Sequence, residues 1–364
     1  MALFSDITPP KSVFVRRVAD VEATRDNHFN LIRLLAAFGV LVSHAYPLAL
    51  GPGAMQPLEQ ALGMTLGGVC VAIFFAVSGF YITRSFDQAA NWHAFVLARV
   101  LRIFPALLVV LLLTVAVASL LTTASPATFW GAAPGYLIQN LTLVRLDYDL
   151  PGVFEATPYG TAINGSLWTL FYEVVCYAGV LFAGLLGLFH RPRLAFAVLA
   201  VVLLAGGVLL EWGQDWGLNG RVTALAKLGL PFVIGSAIYL FRHSVPLSPL
   251  LGAALVALAL ATSGTPAFSV TFMLALSYCV FLVGFWPADG LLGYNRFGDI
   301  SYGVYIYAFP IQQWIASQGV VSPGMNILLA VPPTLICAML SWHLVEKPAL
   351  RLKTSAPASA PVRA

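Results

Sequence analysis

Apolar residues along this chain fall in long unbroken stretches, without the strict alternation of a half-buried strand. Ten such stretches lie near 30–50, 66–84, 100–122, 166–189, 194–212, 225–242, 247–263, 268–286, 300–318 and 324–345. Each approaches or reaches the roughly 20 residues that cross a bilayer as a helix. Short connections rich in Pro, Gly, Ser or charge separate several of them, such as His190-Arg191-Pro192-Arg193, Arg242-His243-Ser244 and Ser263-Gly264-Thr265-Pro266. The pattern predicts an all-α, polytopic transmembrane helix bundle of about ten spans. One connection is long, residues 123–165, and contains Pro126, Pro134, Pro151 and Pro158. Its apolar piece from Tyr136 to Val144 is too short to span and reads as re-entrant or interfacial. The rest, with Asp147, Asp149 and Glu155, reads either as a solvated loop or as a functional one.

Composition fixes the solvent. Hydrophobic residues make up 59% of the 364 residues and charged residues 9%, against about 25% charge in soluble domains. Lipid offers the backbone no partners, so each span must satisfy its own hydrogen bonds as a helix or within a closed barrel, and continuous apolar runs favour helices. The net charge of +4 is spread along the chain, and no run of Lys and Arg points to nucleic acid. Cys70, Cys176, Cys279 and Cys337 sit in apolar runs at spacings that fit no zinc or redox motif, and read as unpaired buried thiols.

Charge also orients the chain. With residues 1–29 as a cytoplasmic N-terminal segment, inside segments hold Arg16, Arg17, Arg84, Arg99, Arg102, Arg191, Arg193, Arg242, Arg296, Lys347 and Arg351 among others. Outside loops hold only Arg145 and Arg221, with Lys227 near an outer boundary. The positive-inside rule then places both termini in the cytoplasm. The first span reads as a retained anchor with no cleavable signal. Residues 30–350 form the membrane core, and 351–364, rich in Ala, Pro and Ser, a disordered cytoplasmic tail.

Ionisable residues inside spans are costly and mark functional candidates. Arg33 and His44 are eleven residues apart in the first span. At ~100° and ~1.5 Å per residue they share one helix face and stand roughly 16 Å apart along the axis. Arg33 fits a snorkelling interface residue or a ligand contact; His44 fits an interhelical hydrogen bond or a base, since a neutral imidazole takes up a proton near neutral pH. Arg99 and Arg102, at i, i+3, put two guanidiniums on one face at the cytoplasmic boundary. They read as lipid anchors or as a fork for the phosphates of a cytosolic ligand. Glu173 lies within the fourth span and needs a partner, His44 or a facing Arg. Trp168 and Tyr172 suit an interfacial aromatic belt, and Gly67, Gly68, Ser78 and Gly79 suit close helix packing. No metal-ligand cluster, phosphate-binding Gly-rich loop or nucleophile elbow is present in the sequence.

Taken in order, these residues resemble the acyltransferase family 3 of membrane-bound acyltransferases. Arg33 and His44 reproduce its Arg-x10-His signature. Phe74-Phe75-Ala76-Val77-Ser78-Gly79-Phe80 is similar to its Phe-Phe-x-x-Ser-Gly-Phe segment. Arg99-Val100-Leu101-Arg102 matches its Arg-x-x-Arg motif, and Ser166-Leu167-Trp168-Thr169-Leu170-Phe171-Tyr172-Glu173, preceded by Asn164, its Ser-Leu-Trp-x-Leu-x-x-Glu segment. Ser301-Tyr302-Gly303-Val304-Tyr305-Ile306 and the closing Glu346-Lys347-Pro348 are also family-like. The resemblance spans about residues 28–350. Ala308 departs from it, standing where many members carry a His two residues before the Pro.

The resemblance implies a multi-pass protein of the bacterial inner membrane. It would transfer an acyl group, usually acetyl, from acyl-coenzyme A as co-substrate to a hydroxyl of a glycan or similar cell-surface acceptor. On that footing His44 is the general base, with Glu173 orienting it or stabilising its imidazolium. Arg33, Arg99 and Arg102 bind the donor, and Ser78, Asn164, Trp168 and Tyr172 contact the acceptor or support the site. Direct transfer and an acyl-histidine both fit. No bound cofactor or metal and no nucleic acid is expected; the partners are membrane lipids, acyl-coenzyme A and the hydroxyl acceptor. A transporter or flippase of a glycan or lipid explains spans and buried charge equally well, but not the order of the motifs. A degenerate binding member, suggested by Ala308, is a third reading.

Overall fold

The computed structural model describes residues 16–24, 26–287 and 289–352. Arg25, most of the expected N-terminal segment and the tail from residue 353 lie outside the described residues. Every predicted span is helical. The helices are α1 (Phe29–Leu50), a single turn α2 (Glu59–Leu62), α3 (Leu66–Asp87), α4 (Trp92–Leu121), α5 (Pro126–Thr142), α6 (Trp168–Leu185), α7 (Pro192–Trp212), α8 (Gly220–Leu240), α9 (Pro249–Ala261), α10 (Phe268–Gly284), α11 (Ser301–Ser317), α12 (Pro323–Ser341) and a last turn α13 (Lys347–Arg351). Among the described residues there is no strand, only an isolated bridge between Arg17 and Pro246.

Seven helical stretches are long and apolar enough to cross a membrane: those of α1, α3, α4, α6, α7 and α8, and the run from α12 through α13. The other three predicted spans are shorter, 13 residues for α9 and 17 each for α10 and α11. At ~1.5 Å per residue α9 rises only ~20 Å. The ends follow ordinary capping chemistry. Thr65, Ser125, Ser248 and Ser322 accept from backbone N–H groups of their first turns, and α5, α7, α9 and α12 begin with Pro.

The stretch 123–165 corrects the expectation of a loop with one short apolar piece. Its first half is a 17-residue helix, α5. Pro126 occupies the first helical position after the Ser125 cap, where a missing N–H costs nothing, and Pro134 is absorbed inside the helix. Nor is the second half an ordinary solvated loop. Leu150, Gly152, Val153, Thr157 and Ile163 are buried. Gln313 of α11, itself fully buried, donates to Thr157 Oγ1 (3.1 Å) and to the carbonyls of Gly160 (2.6 Å) and Ala162 (3.1 Å). The segment is a strap tied across one end of the bundle, here called the distal end.

Helix α3 is central, with 61% of its apolar window buried, and α7 is peripheral at 11%. Helices α3 and α8 cross with backbones in contact. A Cβ on Gly79 would lie 1.9 Å from the carbonyl oxygen of Phe232, and one on Gly235 would lie 2.0 Å from that of Ala76. Only glycine permits this approach from both sides. Ser236 adds bonds to the carbonyls of Gly79 (3.2 Å) and Phe232 (3.1 Å). The sequence reading of Ser78-Gly79 as a packing point holds for Gly79, while Ser78 turns to the cavity described below.

At the opposite, proximal end, where α1 begins, residues 16–19 pair with the α8–α9 connection. Val18 N–H donates to Val245 O (3.1 Å) and Leu247 N–H to Arg16 O (2.7 Å). Glu22 then meets Arg84 (2.7 Å) and Arg242 (3.6 Å). The four cysteines are unpaired; Cys70 is buried and the other three partly so.

Candidate active site

A cavity of about 720 Å³ opens at the proximal end between α1, α3, α4 and α6. It continues into a much narrower crevice of about 50 Å³ that reaches Val71 and Phe74 of α3, Thr169 and Leu170 of α6, and Tyr305 of α11. Four residues line both spaces: Arg33, Ser78, Arg102 and Glu173. They form a neck, and all four carry motifs recognised in the sequence. Arg99 lines only the wide part.

The two arginines of the neck come from different helices and converge on one carboxylate. Arg33 Nη1 pairs with Asp299 Oδ2, and Arg102 Nη2 reaches the same oxygen at 2.5 Å. The other oxygen of Asp299 accepts from Ser301 Oγ (2.5 Å) and Ser301 N–H (3.3 Å), fixing the start of α11. Burial alone would push the Asp299 carboxyl up; the Arg33 and Arg102 guanidiniums and the two bonds from Ser301 overcome this and hold it at about 2. A carboxyl lowered in the fold stabilises it above the unfolded value of 3.8 and loses that contribution only as pH falls towards 2. Asp299 therefore stays charged throughout the neutral range. Arg102 Nη1 also faces Glu346 Oε2 at 3.5 Å. A π-helical turn over Trp342–Glu346 delivers Glu346 to a site only 1% exposed, where Ser341 Oγ donates to it at 3.1 Å. Such turns often accompany functional sites.

The i, i+3 pair of α4 is thus split in role. Arg102 is enclosed by Asp299 and Glu346, whereas Arg99 enters no ion pair among the described residues. Its guanidinium lies over Phe95 (5.9 Å) and Tyr177 (5.8 Å), with a long bond to Ser85 Oγ (3.4 Å), and its Nε has no partner. Of the four guanidiniums on the cavity wall, Arg33, Arg84, Arg99 and Arg102, it is the one without a carboxylate among the described residues.

Glu173 does not meet His44. Its partner is Tyr177, one turn along α6, whose hydroxyl donates to Glu173 Oε1. The expectation that Glu173 orients the histidine is corrected to a place in the neck, because the cavity-facing stripe of α6 runs Thr169, Glu173, Tyr177 at i, i+4 spacing. His44 lies about three turns beyond Arg33, as the helical arithmetic requires. Its ring meets Phe309 of α11 edge-on at 5.3 Å, and its Nδ1 is buried without a hydrogen-bond partner. Phe309 in turn touches Tyr159 of the distal strap at 5.7 Å. Arg33 and His44 both face α11 or the residues just before it, so the shared face is real and points inward.

The remaining candidates stand at the distal end of α6. Asn164 donates to Ile306 O (2.9 Å) and accepts from Ser166 N–H (3.2 Å), a structural tie. Trp168 is 37% exposed and packs edge-on against Tyr172 at 5.6 Å. Thr169 Oγ1 and Tyr305 Oη are 2.6 Å apart at the inner end of the crevice, and Tyr305 Oη also donates to Ser166 O (3.0 Å). Asp299, Tyr177 and the Thr169–Tyr305 pair were not singled out from the sequence.

Comparison with known proteins bears on the family of the chain. Residues 26–343 match the acyltransferase domain of the family Acyl_transf_3. An O-acetyl transferase of Shigella phage Sf6 is 29% identical over 333 residues, covering 89% of this chain and 96% of that protein. Nodulation protein 10 of Rhizobium leguminosarum bv. viciae is 28% identical over 366 residues, covering 90% and 94%. No solved structure matches.

Proposed function

We propose, since this chain belongs to the acyltransferase family 3 and is an acyltransferase, that it carries an acetyl group from acetyl-coenzyme A in the cytoplasm to a hydroxyl of a cell-surface glycan or related acceptor. The observation that carries this reading is the neck: a wide cavity, with an arginine that has no carboxylate among the described residues, narrows past four motif residues into a crevice fit for a thin chain. The 3′-phospho-ADP end of the donor suits the wide part beside Arg99, and the acyl-pantetheine arm suits the crevice. The phage relative's name, O-acetyl transferase, supports acetyl as the group and oxygen as its acceptor.

Acceptor and His44 would meet near the inner end of the crevice. His44 takes the proton of the acceptor hydroxyl, and the oxygen attacks the thioester carbonyl. A C–O bond forms, the C–S bond breaks, and the proton passes from the imidazolium to the leaving thiolate, so the enzyme is returned unchanged. Arg33 and Arg102, their charge balanced by Asp299 and Glu346, offer N–H donors beside the thioester as charge develops on its oxygen. Ser78 and Glu173 complete the polar ring.

The reading places the wide cavity in the cytoplasm, with both termini, and counts α9, α10 and α11 with the seven long helices as ten spans of the inner membrane. In a cysteine-free background, a cysteine at position 192 should resist a membrane-impermeant maleimide from outside, and one at 156 should react; the reverse pattern would invert the topology. The activity itself is tested with purified protein in nanodiscs, given acetyl-coenzyme A labelled in the acetyl group and membranes of the source cell. Label should enter the membrane glycan fraction and free thiol should rise in step. Thiol release without label transfer would leave a thioesterase.

Arg99→Ala should weaken coenzyme A binding about ten- to a hundredfold, the worth of one or two charge-assisted contacts of roughly 1.5 kcal/mol each, with little change in thermal stability. Calorimetric titration with coenzyme A reads this, and an unchanged affinity would return Arg99 to a lipid-anchoring role.

A further inference from the structure

Arg33 and Arg102 share more than a ligand. They lie 69 residues apart, on α1 and α4, and among the described residues no hydrogen bond or ion pair joins those two helices directly. What joins them is one oxygen, Asp299 Oδ2, which accepts from both, with Glu346 Oε2 on the other side of Arg102. Asp299 is itself fixed by Ser301 at the start of α11, and α11 carries Tyr305 and Phe309 towards the crevice and His44. The neck, the inner end of the crevice and the histidine are thus referred to one common anchor.

We infer that Asp299 is a positioning residue for acyl transfer, holding Arg33 and Arg102 as a pair on either side of the thioester while leaving the phosphate contact to Arg99. This rests on the donor site proposed above. Its logic is geometric and electrostatic. Without Asp299, Arg33 has no other carboxylate among the described residues and is free to turn its charge towards donor phosphates in the wide cavity, while Arg102 is left to Glu346 at 3.5 Å. The thioester then loses its paired charges, although the donor still binds. Misplacement of a charged group by about 1 Å is enough to cost roughly a hundredfold in rate.

The test compares Asp299→Asn and Asp299→Glu in the full chain in nanodiscs. Asn keeps an oxygen for Ser301 and removes the charge; Glu keeps the charge and shifts it by one methylene. Coenzyme A affinity, turnover at saturating acetyl-coenzyme A and the thermal transition are measured for each. Asp299→Asn should lower turnover at least tenfold with coenzyme A affinity within about threefold of the parent, and Asp299→Glu should recover part of the turnover. If Asp299→Asn fails to fold, Asp299→Glu decides alone, with reduced turnover at unchanged affinity as the supporting result. Turnover within twofold of the parent in either folded variant overturns the inference. So does a parallel fall of affinity, turnover and thermal transition, which marks a purely structural acid. Failure of Arg99→Ala to alter coenzyme A binding would instead overturn the donor site itself, whatever Asp299 does.

Discussion

Replacing His44 with glutamine is expected to reduce acyl transfer by about 10²–10⁴-fold, the usual contribution of a general base, while the protein still inserts and binds coenzyme A. Glutamine is close in size and keeps a hydrogen-bonding group, so the edge contact with Phe309 suffers little. What it cannot do is take a proton. An acceptor hydroxyl is a poor nucleophile until its proton has somewhere to go, and the structure offers few other places. The carboxylate nearest in role, Glu173, faces the neck with Tyr177 as its donor. The Nδ1 of His44 has no protein partner, so no carboxylate fixes its tautomer from that side. His44→Ala should be as inactive as His44→Gln and somewhat less stable. Label transfer from acetyl-coenzyme A measures the effect, with coenzyme A titration as the folding control. Near-parent transfer by the glutamine variant would move the base to Glu173.

The other large effect lies in the bundle. Gly235→Val should cost ~3 kcal/mol or more and sharply lower the yield of folded protein. Overpacking commonly costs ~1–3 kcal/mol when side chains can shift, but here the obstacle is backbone: the added Cβ would fall 2.0 Å from the Ala76 carbonyl oxygen. Relief requires α3 and α8 to part, and lipid provides no hydrophobic force to press them together again. The same holds for Gly79→Val against Phe232. Because α3 also presents Phe74, Phe75 and Ser78 to the crevice, milder variants such as Gly79→Ala should lose coenzyme A affinity along with stability. Thermal unfolding in detergent and size-exclusion profiles read the first effect, and titration the second. A Gly235→Val protein with an unshifted transition would show that the crossing is loose.

Sequence reasoning reached the helices because length and unbroken apolar character report directly on a bilayer span. It reached Arg33, Arg99, Arg102 and Glu173 because charge in an apolar run is conspicuous, and it put Arg33 and His44 on one face by helical arithmetic. It missed Asp299 for the converse reason. An acid just outside an apolar stretch looks like an ordinary boundary residue, and its partners lie 266 and 197 residues away. The one local signal was Asp-Ile-Ser, an acid two residues ahead of a helix start, which suits capping and says nothing of arginines. For Glu173 the sequence leaves His44 or a facing Arg as partner and the resemblance favours His44, yet the stripe Thr169, Glu173, Tyr177 already offers a partner at i+4. In residues 123–165 the prolines read as loop punctuation, although Ser125-Pro126 is a helix start. The difference between Arg99 and Arg102 could not be read locally at all, since only tertiary packing brings Asp299 and Glu346 to one of them.

The narrowness of the crevice has a consequence apart from chemistry. A membrane protein hollowed from one end is at risk of becoming a leak for protons and other ions. Here the hollow contracts from about 720 Å³ to about 50 Å³, and beyond it Phe309 is set between His44 and Tyr159 under a strap tied down by Gln313. These rings act as electrical insulation. They close the hollow towards the distal end, so that the two ends of the bundle are not joined by an open path.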